Sequence, residues 1–264
     1  MLSLFAPRLP IDSDELEFQL ATLKWLTAQH GPPCDQPLVL PTRDFFPVSG
    51  KKGDEGVREL FGYVREAARL ADWPCELRRG TRNRPVAAGN SHLLRHEGPS
   101  APCGTFELTD GVEGRTAIIT YNPDMEADQP GLVATFGHEL GHYLMAASAG
   151  TPPGGWDLHE LHTDIAAVYL GFGIFLANSA RSFRQFQDSV ESGWTASTQG
   201  YLSEGALVTA TAVVERLAGR DPMAAEPWLK DYLAKDLRKA VRALARLAPD
   251  MEAAVAAVDL SEYA

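Results

Sequence analysis

Two histidines four residues apart constrain this chain more than any other feature. Residues 138–142 read His-Glu-Leu-Gly-His. On an α-helix, side chains four apart share one face, with Cβ atoms about 5–6 Å apart. Both imidazoles would then reach one Zn²⁺, whose bonds to histidine nitrogens are about 2.0–2.1 Å long. Glu139 would lean over the open side of the metal, where it can accept a proton from a water that the metal activates.

The residues around this pattern predict a helix that follows a strand. Asp128 and Pro130 form a cap and first-turn pair. Gly137 and Gly141 each cost about 1 kcal/mol of helix stability relative to Ala, which indicates a close approach by another backbone, a metal site or a substrate. Upstream, residues 115–122 predict a β-strand that a proline ends. Apolar residues recur at helical spacing and predict one buried side of the helix: Leu132, Val133, Phe136, Leu140, Tyr143 and Leu144.

A catalytic zinc site needs a third protein ligand, because two helix histidines can also pack or face solvent without a metal. Residues 156–170 predict a second helix, on which Glu160 and Asp164 share a face. We predict Glu160 as the third ligand. Asp164 would hold the other nitrogen of a ligating histidine and fix its tautomer. Asp157 with Glu160 also matches a capping box, which would make Glu160 a helix-start residue only. Three other ligands stay open: Asp164, His159 and His162.

The spacing of these residues resembles a known class of enzymes. H-E-L-G-H, followed after 17 intervening residues by E-x-x-x-D, resembles the gluzincin branch of the H-E-x-x-H metallopeptidases, a thermolysin-like arrangement. The strand before the helix is also similar to that of the small ImmA/IrrE-type regulatory metalloproteases, which act on repressor proteins in bacteria. The resemblance covers about residues 105–180. It implies a zinc cofactor and a catalytic glutamate, with roles only at the matching residues: His138, Glu139, His142, Glu160 and Asp164.

The resemblance implies a zinc-dependent hydrolase that cuts peptide bonds in a peptide or protein substrate. An edge strand near the metal would pair with the extended substrate. The oxyanion that forms in this reaction needs a donor besides the metal. One alternative is a non-catalytic sensor or protein-interaction module of the same fold, with a structural metal. Another is a metal-assisted hydrolase of a non-peptide substrate. The predicted oxyanion donors are Tyr201 and His162, with Tyr169 and Arg181 as further choices.

Composition narrows the cellular setting and the partners. Hydrophobic residues make up 45% of the 264 residues and charged residues 22%, which is typical of soluble globular proteins. The net charge of −11 argues against nucleic-acid binding, which depends on phosphate neutralisation. The sequence has no apolar run long enough for a membrane span and no secretory signal at its start. Cys34, Cys75 and Cys103 are predicted to be reduced thiols of a cytoplasmic protein.

The order of elements predicts an α+β fold in three stretches. Residues 1–100 form an N-terminal α/β support region. Residues 101–180 form a zincin-like catalytic core with a small mixed or antiparallel sheet and the H-E-x-x-H helix. Residues 181–264 form a helical C-terminal region with an apolar stripe. This region either packs against the core as one compact unit or recognises a partner protein.

Two further clusters of basic residues are less specific. Four arginines within residues 78–84 predict a solvated strand end and loop, or a contact with a carboxylate, a phosphate or an acidic partner. His92 and His96 are also four residues apart. No Glu follows His92, and turn-rich sequence flanks the pair, so a strand or loop is predicted there rather than a metal site.

Overall fold

The computed structural model describes four segments of the chain: residues 8–81, 103–111, 114–187 and 201–263. Of residues 110, 111, 114 and 181–187 it describes the backbone only. Its helices and strands, in chain order, are α1 Ser13–His30, α2 Gly53–Ala67, β1 Cys75–Arg79, β2 Gly104–Gly111, β3 Gly114–Tyr121, α3 Gln129–Ala147, α4 His159–Tyr169, α5 Gly173–Gln187, α6 Glu204–Leu217, α7 Asp231–Leu247 and α8 Met251–Ala257.

Helices dominate the described segments and pack against one small mixed sheet, which confirms the predicted α+β class. The sheet has the order β1-β3-β2. β3 is parallel to β1, with Cys75 opposite Ala117. It is antiparallel to β2, with Gly104 opposite Tyr121. Among the described residues, β2 therefore pairs on one side only and forms an edge of the sheet.

Helix α3, which carries residues 138–142, lies at the centre of the molecule. It begins as the sequence predicts, because Asp128 caps it by accepting a hydrogen bond of 3.0 Å from the Gly131 amide. Fourteen of its 19 residues are buried. The helix contacts α2, β2 and β3 as well as α4 and α5. A helix buried on nearly every side is a core element, so its polar residues 138 and 139 are held in a fixed environment.

Two glycines of α3 allow neighbouring segments to come close, as their cost in helix stability predicts. A Cβ atom on Gly141 would lie 2.6 Å from the Thr163 carbonyl oxygen of α4. A Cβ atom on Gly137 would lie 2.8 Å from the ring of Phe172, in the turn after α4. Real Cβ atoms do not approach other atoms so closely. The glycines therefore set the distance between α3 and α4, the two helices that carry the predicted ligands.

The C-terminal helices share one hydrophobic core with the rest of the protein. Leu23 of α1, Leu140 of α3 and Leu237 of α7 all belong to the same cluster of buried residues. Helix α6 contacts α4, α5 and α7. The three stretches inferred from sequence thus meet in a common core across the described residues. Recognition of a partner protein by the C-terminal helices stays a prediction.

Further sequence predictions concern the cysteines, membrane-spanning segments and a second histidine pair. Cys34, Cys75 and Cys103 are all free thiols, as predicted. Among the helices that the structure describes, none combines the length and apolar character needed to cross a lipid bilayer. The His92 and His96 pair lies outside the described residues.

Replacing Gly141 with Ala is expected to destabilise the protein. The added methyl group would overlap the Thr163 carbonyl, and overpacking of this kind costs about 1–3 kcal/mol. Gly62 of α2 is a matched control, since a Cβ atom there would meet nothing within 4 Å. Gly62→Ala should instead stabilise its helix by up to about 1 kcal/mol. Urea unfolding of both variants measures the difference, and equal stabilities would contradict the close helix crossing.

Candidate metal centre

Three side chains predicted as metal ligands converge at the crossing of α3 and α4. His138 and His142 project from successive turns of α3, and Glu160 from the first turn of α4. Glu160 Oε2 lies 3.2 Å from His138 Nε2 and 3.6 Å from His142 Nε2. One ligand atom from each of the three residues lies within 4.8 Å of the others. The structure therefore brings together the two helix histidines and the later glutamate of the sequence prediction.

Asp164 orients the ring of His138, the role that the sequence predicts for it. The His138 Nδ1 lies 3.0 Å from Asp164 Oδ1. A carboxylate only accepts hydrogen bonds, so Nδ1 carries a proton, and Nε2 keeps its lone pair whenever the ring is neutral. The second oxygen of Asp164 accepts a 2.8 Å hydrogen bond from the Leu202 amide. Asp164, which is 3% exposed, thus fixes the His138 tautomer and is itself fixed by the segment before α6.

The ring of His142 is oriented by Thr163, which the sequence reasoning did not identify. The Thr163 hydroxyl donates a 2.8 Å hydrogen bond to the His159 carbonyl. Its oxygen lies 3.1 Å from His142 Nδ1 and therefore accepts from that nitrogen. His142 consequently also presents an unprotonated Nε2 to the cluster. The position of Thr163 in the sequence, between Glu160 and Asp164, could have indicated this role. All three residues lie where α4 crosses α3.

The ring orientations set by these hydrogen bonds direct the Nε2 atoms of His138 and His142 toward the same point as the Glu160 carboxylate. When both rings are neutral and carry their proton on Nδ1, the two Nε2 lone pairs and the Glu160 carboxylate face each other. Glu160 Oε2 is buried and has no well-formed hydrogen bond from any residue that the structure describes. A buried charge without a partner is costly, and three electron-pair donors repel unless a positive charge lies between them. Two imidazoles and a carboxylate are the donor set of catalytic zinc sites, so the residues fit a zinc ion.

The pKa values of the clustered side chains also indicate that a positive charge stabilises this site. Burial opposes a charge on His138, but the Asp164 and Glu160 carboxylates outweigh it and raise its pKa to about 10. Burial also opposes the charge on Glu160, yet interaction with His138 lowers its pKa to about 2. Burial and the neighbouring His138 lower the pKa of His142 to about 3. In the metal-free protein one proton on His138 thus occupies the place that a cation would take.

Glu139 lies beside this cluster, under the edge strand β2. A Cβ atom on Gly104 would lie 2.6 Å from Glu139 Oε1, so only glycine leaves room there for the carboxylate. Glu139 is 5% exposed, and its Oε2 has no hydrogen-bond partner within the described segments. Burial raises the pKa of this carboxyl to about 7. A carboxylate in such surroundings is a stronger base than one in water, as general-base catalysis requires.

The middle of β2 lies over His142, the second of the candidate ligands. The ring of Phe106 stacks on the ring of His142, with centroids 5.9 Å apart and an angle of 17° between the planes. Phe106 also packs against Tyr143 at 5.9 Å. The exposed residues Thr105 and Glu107 flank it on the strand. The edge strand thus passes directly beside the cluster of candidate ligands, which is where the sequence analysis expects an extended substrate to pair.

The predicted oxyanion donors are placed very differently. The ring of Tyr201 lies 5.1 Å from the ring of His138 and lines a cavity of about 20 Å³ with His138 and Asp164. His162 faces α1 instead, where its Nδ1 contacts the Thr22 hydroxyl at 3.1 Å. Tyr169 donates to the Gly31 carbonyl and is also remote. The side chain of Arg181 lies outside what the structure describes. Of the predicted donors whose side chains the structure describes, Tyr201 is the one beside the cluster.

The competing roles considered for α4 fit the structure less well. Leu158 is the N-cap residue of this helix, and no side chain forms a capping hydrogen bond there. The capping-box interpretation of Asp157 and Glu160 is therefore wrong. Asp164 contacts His138 through Nδ1 rather than through the nitrogen that faces the cluster. His162 points to the opposite side of α4. Glu160 is left as the α4 side chain that meets both histidines.

Comparisons with known proteins identify no match that would explain this geometry. No protein-family model, curated protein or solved structure matches the chain. A function has to be argued from the site itself, because a site rather than a fold carries chemistry.

Proposed function

We propose that this protein is a zinc-dependent peptidase of the zincin type, similar to gluzincins. His138, His142 and Glu160 would hold the ion. The observation that carries this proposal is the convergence of their three ligand atoms within 4.8 Å, with both histidine tautomers fixed so that Nε2 faces inward. Nitrogen and carboxylate ligands suit zinc, although they also accept other divalent metals.

A zinc ion held by His138, His142 and Glu160 would act as a Lewis acid that polarises the scissile carbonyl and lowers the pKa of a bound water toward 7. The proton transfers fall to side chains of the protein. Glu139 accepts a proton from the attacking water and later delivers it to the leaving amine. Its burial between α3 and Gly104 keeps the carboxylate poorly solvated and fixed in position. Tyr201, beside His138, donates a hydrogen bond to the oxyanion.

The substrate in this proposal is an extended peptide segment. β2 has an unpaired edge among the described residues, and a peptide can add to such an edge as a further strand. Phe106, stacked on His142, gives that edge an apolar contact for a substrate side chain. The three free cysteines fit a reducing compartment, so we place the reaction in the cytoplasm.

The alternative, a non-catalytic module with a structural metal, requires a closed site. Structural zinc sites have four protein ligands, whereas catalytic sites leave one position open. Among the described residues, the cluster contains three candidate ligands. Asp164 is occupied by His138 and the Leu202 amide, and His162 faces α1. A fourth position left open by the described residues, next to a buried glutamate, favours catalysis.

A direct test is hydrolysis by the purified full-length chain. The zinc-loaded protein is expected to cleave a mixture of synthetic peptides, as detected by mass spectrometry. Removal of the metal with a chelator should abolish cleavage, and added zinc should restore it. Matched samples of the Glu139→Gln variant exclude a contaminating protease. Stoichiometric zinc binding without any cleavage of peptides or of unfolded protein would instead support the structural-metal module.

A further inference from the structure

Alternate residues of β2 direct their backbone groups away from β3. The Tyr121 carbonyl of β3 accepts a hydrogen bond from the Gly80 amide, on the β1 side. Gly104 lies opposite Tyr121 and therefore points its own N–H and C=O groups away from β3. Hydrogen bonding alternates along an antiparallel pair, so Phe106 and Leu108 do the same. An added peptide strand would pair with these groups, since no described strand pairs with this side of β2.

The two faces of β2 offer such a strand different side chains, because successive side chains point to opposite faces. Gly104 and Phe106 lie on the face toward α3. The space at Gly104 borders Glu139, and the ring of Phe106 stacks on that of His142. The side chains of a paired peptide would alternate in the same way. On the opposite face of β2 the structure describes three side chains: Thr105, Glu107 and Thr109.

Glu107 is the charged residue among these three. Its side chain is exposed, and its carboxylate forms no hydrogen bond or ion pair with any residue that the structure describes. Arg78, on the same face of the sheet, attracts Glu107 from a distance. However, its guanidinium is held by Glu76 through hydrogen bonds of 2.9 and 3.1 Å. The Glu107 carboxylate therefore has room for a cationic partner at the edge of the sheet.

We infer that Glu107 gives the proposed peptidase a preference for substrates with Lys or Arg at the residue that pairs with it. This inference rests on the proposed function. In an antiparallel peptide bonded to Gly104 and Phe106, the residue opposite Glu107 lies in a non-hydrogen-bonded pair, with Cα atoms about 4.5 Å apart. Opposite charges in such cross-strand pairs are stabilising and like charges destabilising. Gly104 and Phe106 lie beside Glu139 and His142, so the paired residue falls within about three positions of the cleaved bond.

Peptide binding tests the charge preference without any turnover. The probe is a capped, fluorescein-labelled peptide of alternating Thr and Val, which favours a strand, with one Lys or one Glu at its centre. The zinc-loaded, full-length Glu139→Gln chain keeps this peptide intact. We expect it to bind the Lys peptide about 2–30-fold more tightly than the Glu peptide, the range expected for cross-strand charge pairs. Fluorescence anisotropy measures both dissociation constants.

Three further substitutions in the same background assign the preference to one side chain. Glu107→Gln should remove it, and Glu107→Lys should reverse it. Glu76→Gln is the matched control, because Glu76 is an exposed acid on the same face of the sheet, in β1 and separated from β2 by β3. It should keep the preference. Equal binding of the two peptides, or a preference that survives Glu107→Gln, would overturn the inference.

Cleavage by the wild-type chain locates the paired position. The Lys or Glu is moved through the peptide one position at a time, and mass spectrometry identifies the cut. We expect Lys to be favoured at one position relative to the cut, and Glu107→Lys to favour Glu there. Lys favoured equally at every position would reflect the net charge of −11 and overturn the inference. Cleavage indifferent to charge would also overturn it but leave the proposed peptidase standing, whereas absence of cleavage of every peptide would overturn both.

Discussion

Glu139→Gln is expected to lower the turnover number by about 10²–10⁴-fold, the range that a general base contributes, while zinc remains bound. The amide has the shape of the carboxylate but cannot accept the proton of the attacking water. It fits the same space beneath Gly104. The side chain is not among the three candidate ligands, so metal affinity should change little. Steady-state kinetics and a zinc titration of the same preparation measure both effects.

The control for this result is the same substitution at an exposed position. Glu252 of α8 is exposed and lies outside the metal cluster, so Glu252→Gln should match the wild type in turnover and zinc binding. Glu139→Asp is a second comparison, because it retains a carboxylate but withdraws it by one methylene group. We expect intermediate activity from it. Turnover of Glu139→Gln at the wild-type rate would rule out this residue as the base.

The features of the site that sequence predicts correctly are those fixed by local geometry. The spacing of His138 and His142 places both on one face of a helix, and Asp128 with Pro130 marks where that helix begins. The same i, i+4 rule relates Glu160 to Asp164. Each of these relations lies within one element of regular structure. They hold in the protein because α3 and α4 form over the predicted residues.

Relations between elements were harder to predict, because they depend on how the helices rotate and cross. His162 and Glu160 are two residues apart, and only the packing of α4 decides that His162 faces Thr22 of α1. The contact between Asp164 and the Leu202 amide involves a backbone group, which leaves no trace in the sequence. The role of Thr163 likewise depends on the close helix crossing that Gly141 permits.

The sheet illustrates the same limit at the level of the fold. The segments of β2 and β3 are close in sequence, and their antiparallel pairing is the simplest outcome for neighbouring strands. β1 precedes β2 in the chain, yet it pairs in parallel with β3. In this order β3 separates β1 from β2, the next strand along the chain. The sequence predicts a strand from Trp73 to Leu77, which the structure places at Cys75–Arg79, but it does not indicate which strand pairs with it.

Glu160→Gln is expected to remove zinc-dependent stabilisation of the fold. At a free zinc concentration of one hundred times its dissociation constant, binding raises the free energy of unfolding of the wild type by about 2.7 kcal/mol. An amide oxygen is a weak zinc ligand, and loss of a direct ligand should exceed the roughly 10–100-fold cost of losing an outer hydrogen bond. At the same zinc concentration the variant should therefore gain about 0.4 kcal/mol or less.

The comparison must be made between zinc-loaded and zinc-free samples of each variant, because the Gln also loses its interaction with His138 and so changes the stability of the metal-free protein. Asp157→Asn is the matched control, since Asp157 is an exposed acid three residues earlier that forms no capping hydrogen bond. It should keep the full zinc-induced shift in unfolding by urea. If Glu160→Gln keeps that shift as well, the metal is held without the later helix, and the site loses the carboxylate on which its assignment as a catalytic centre depends.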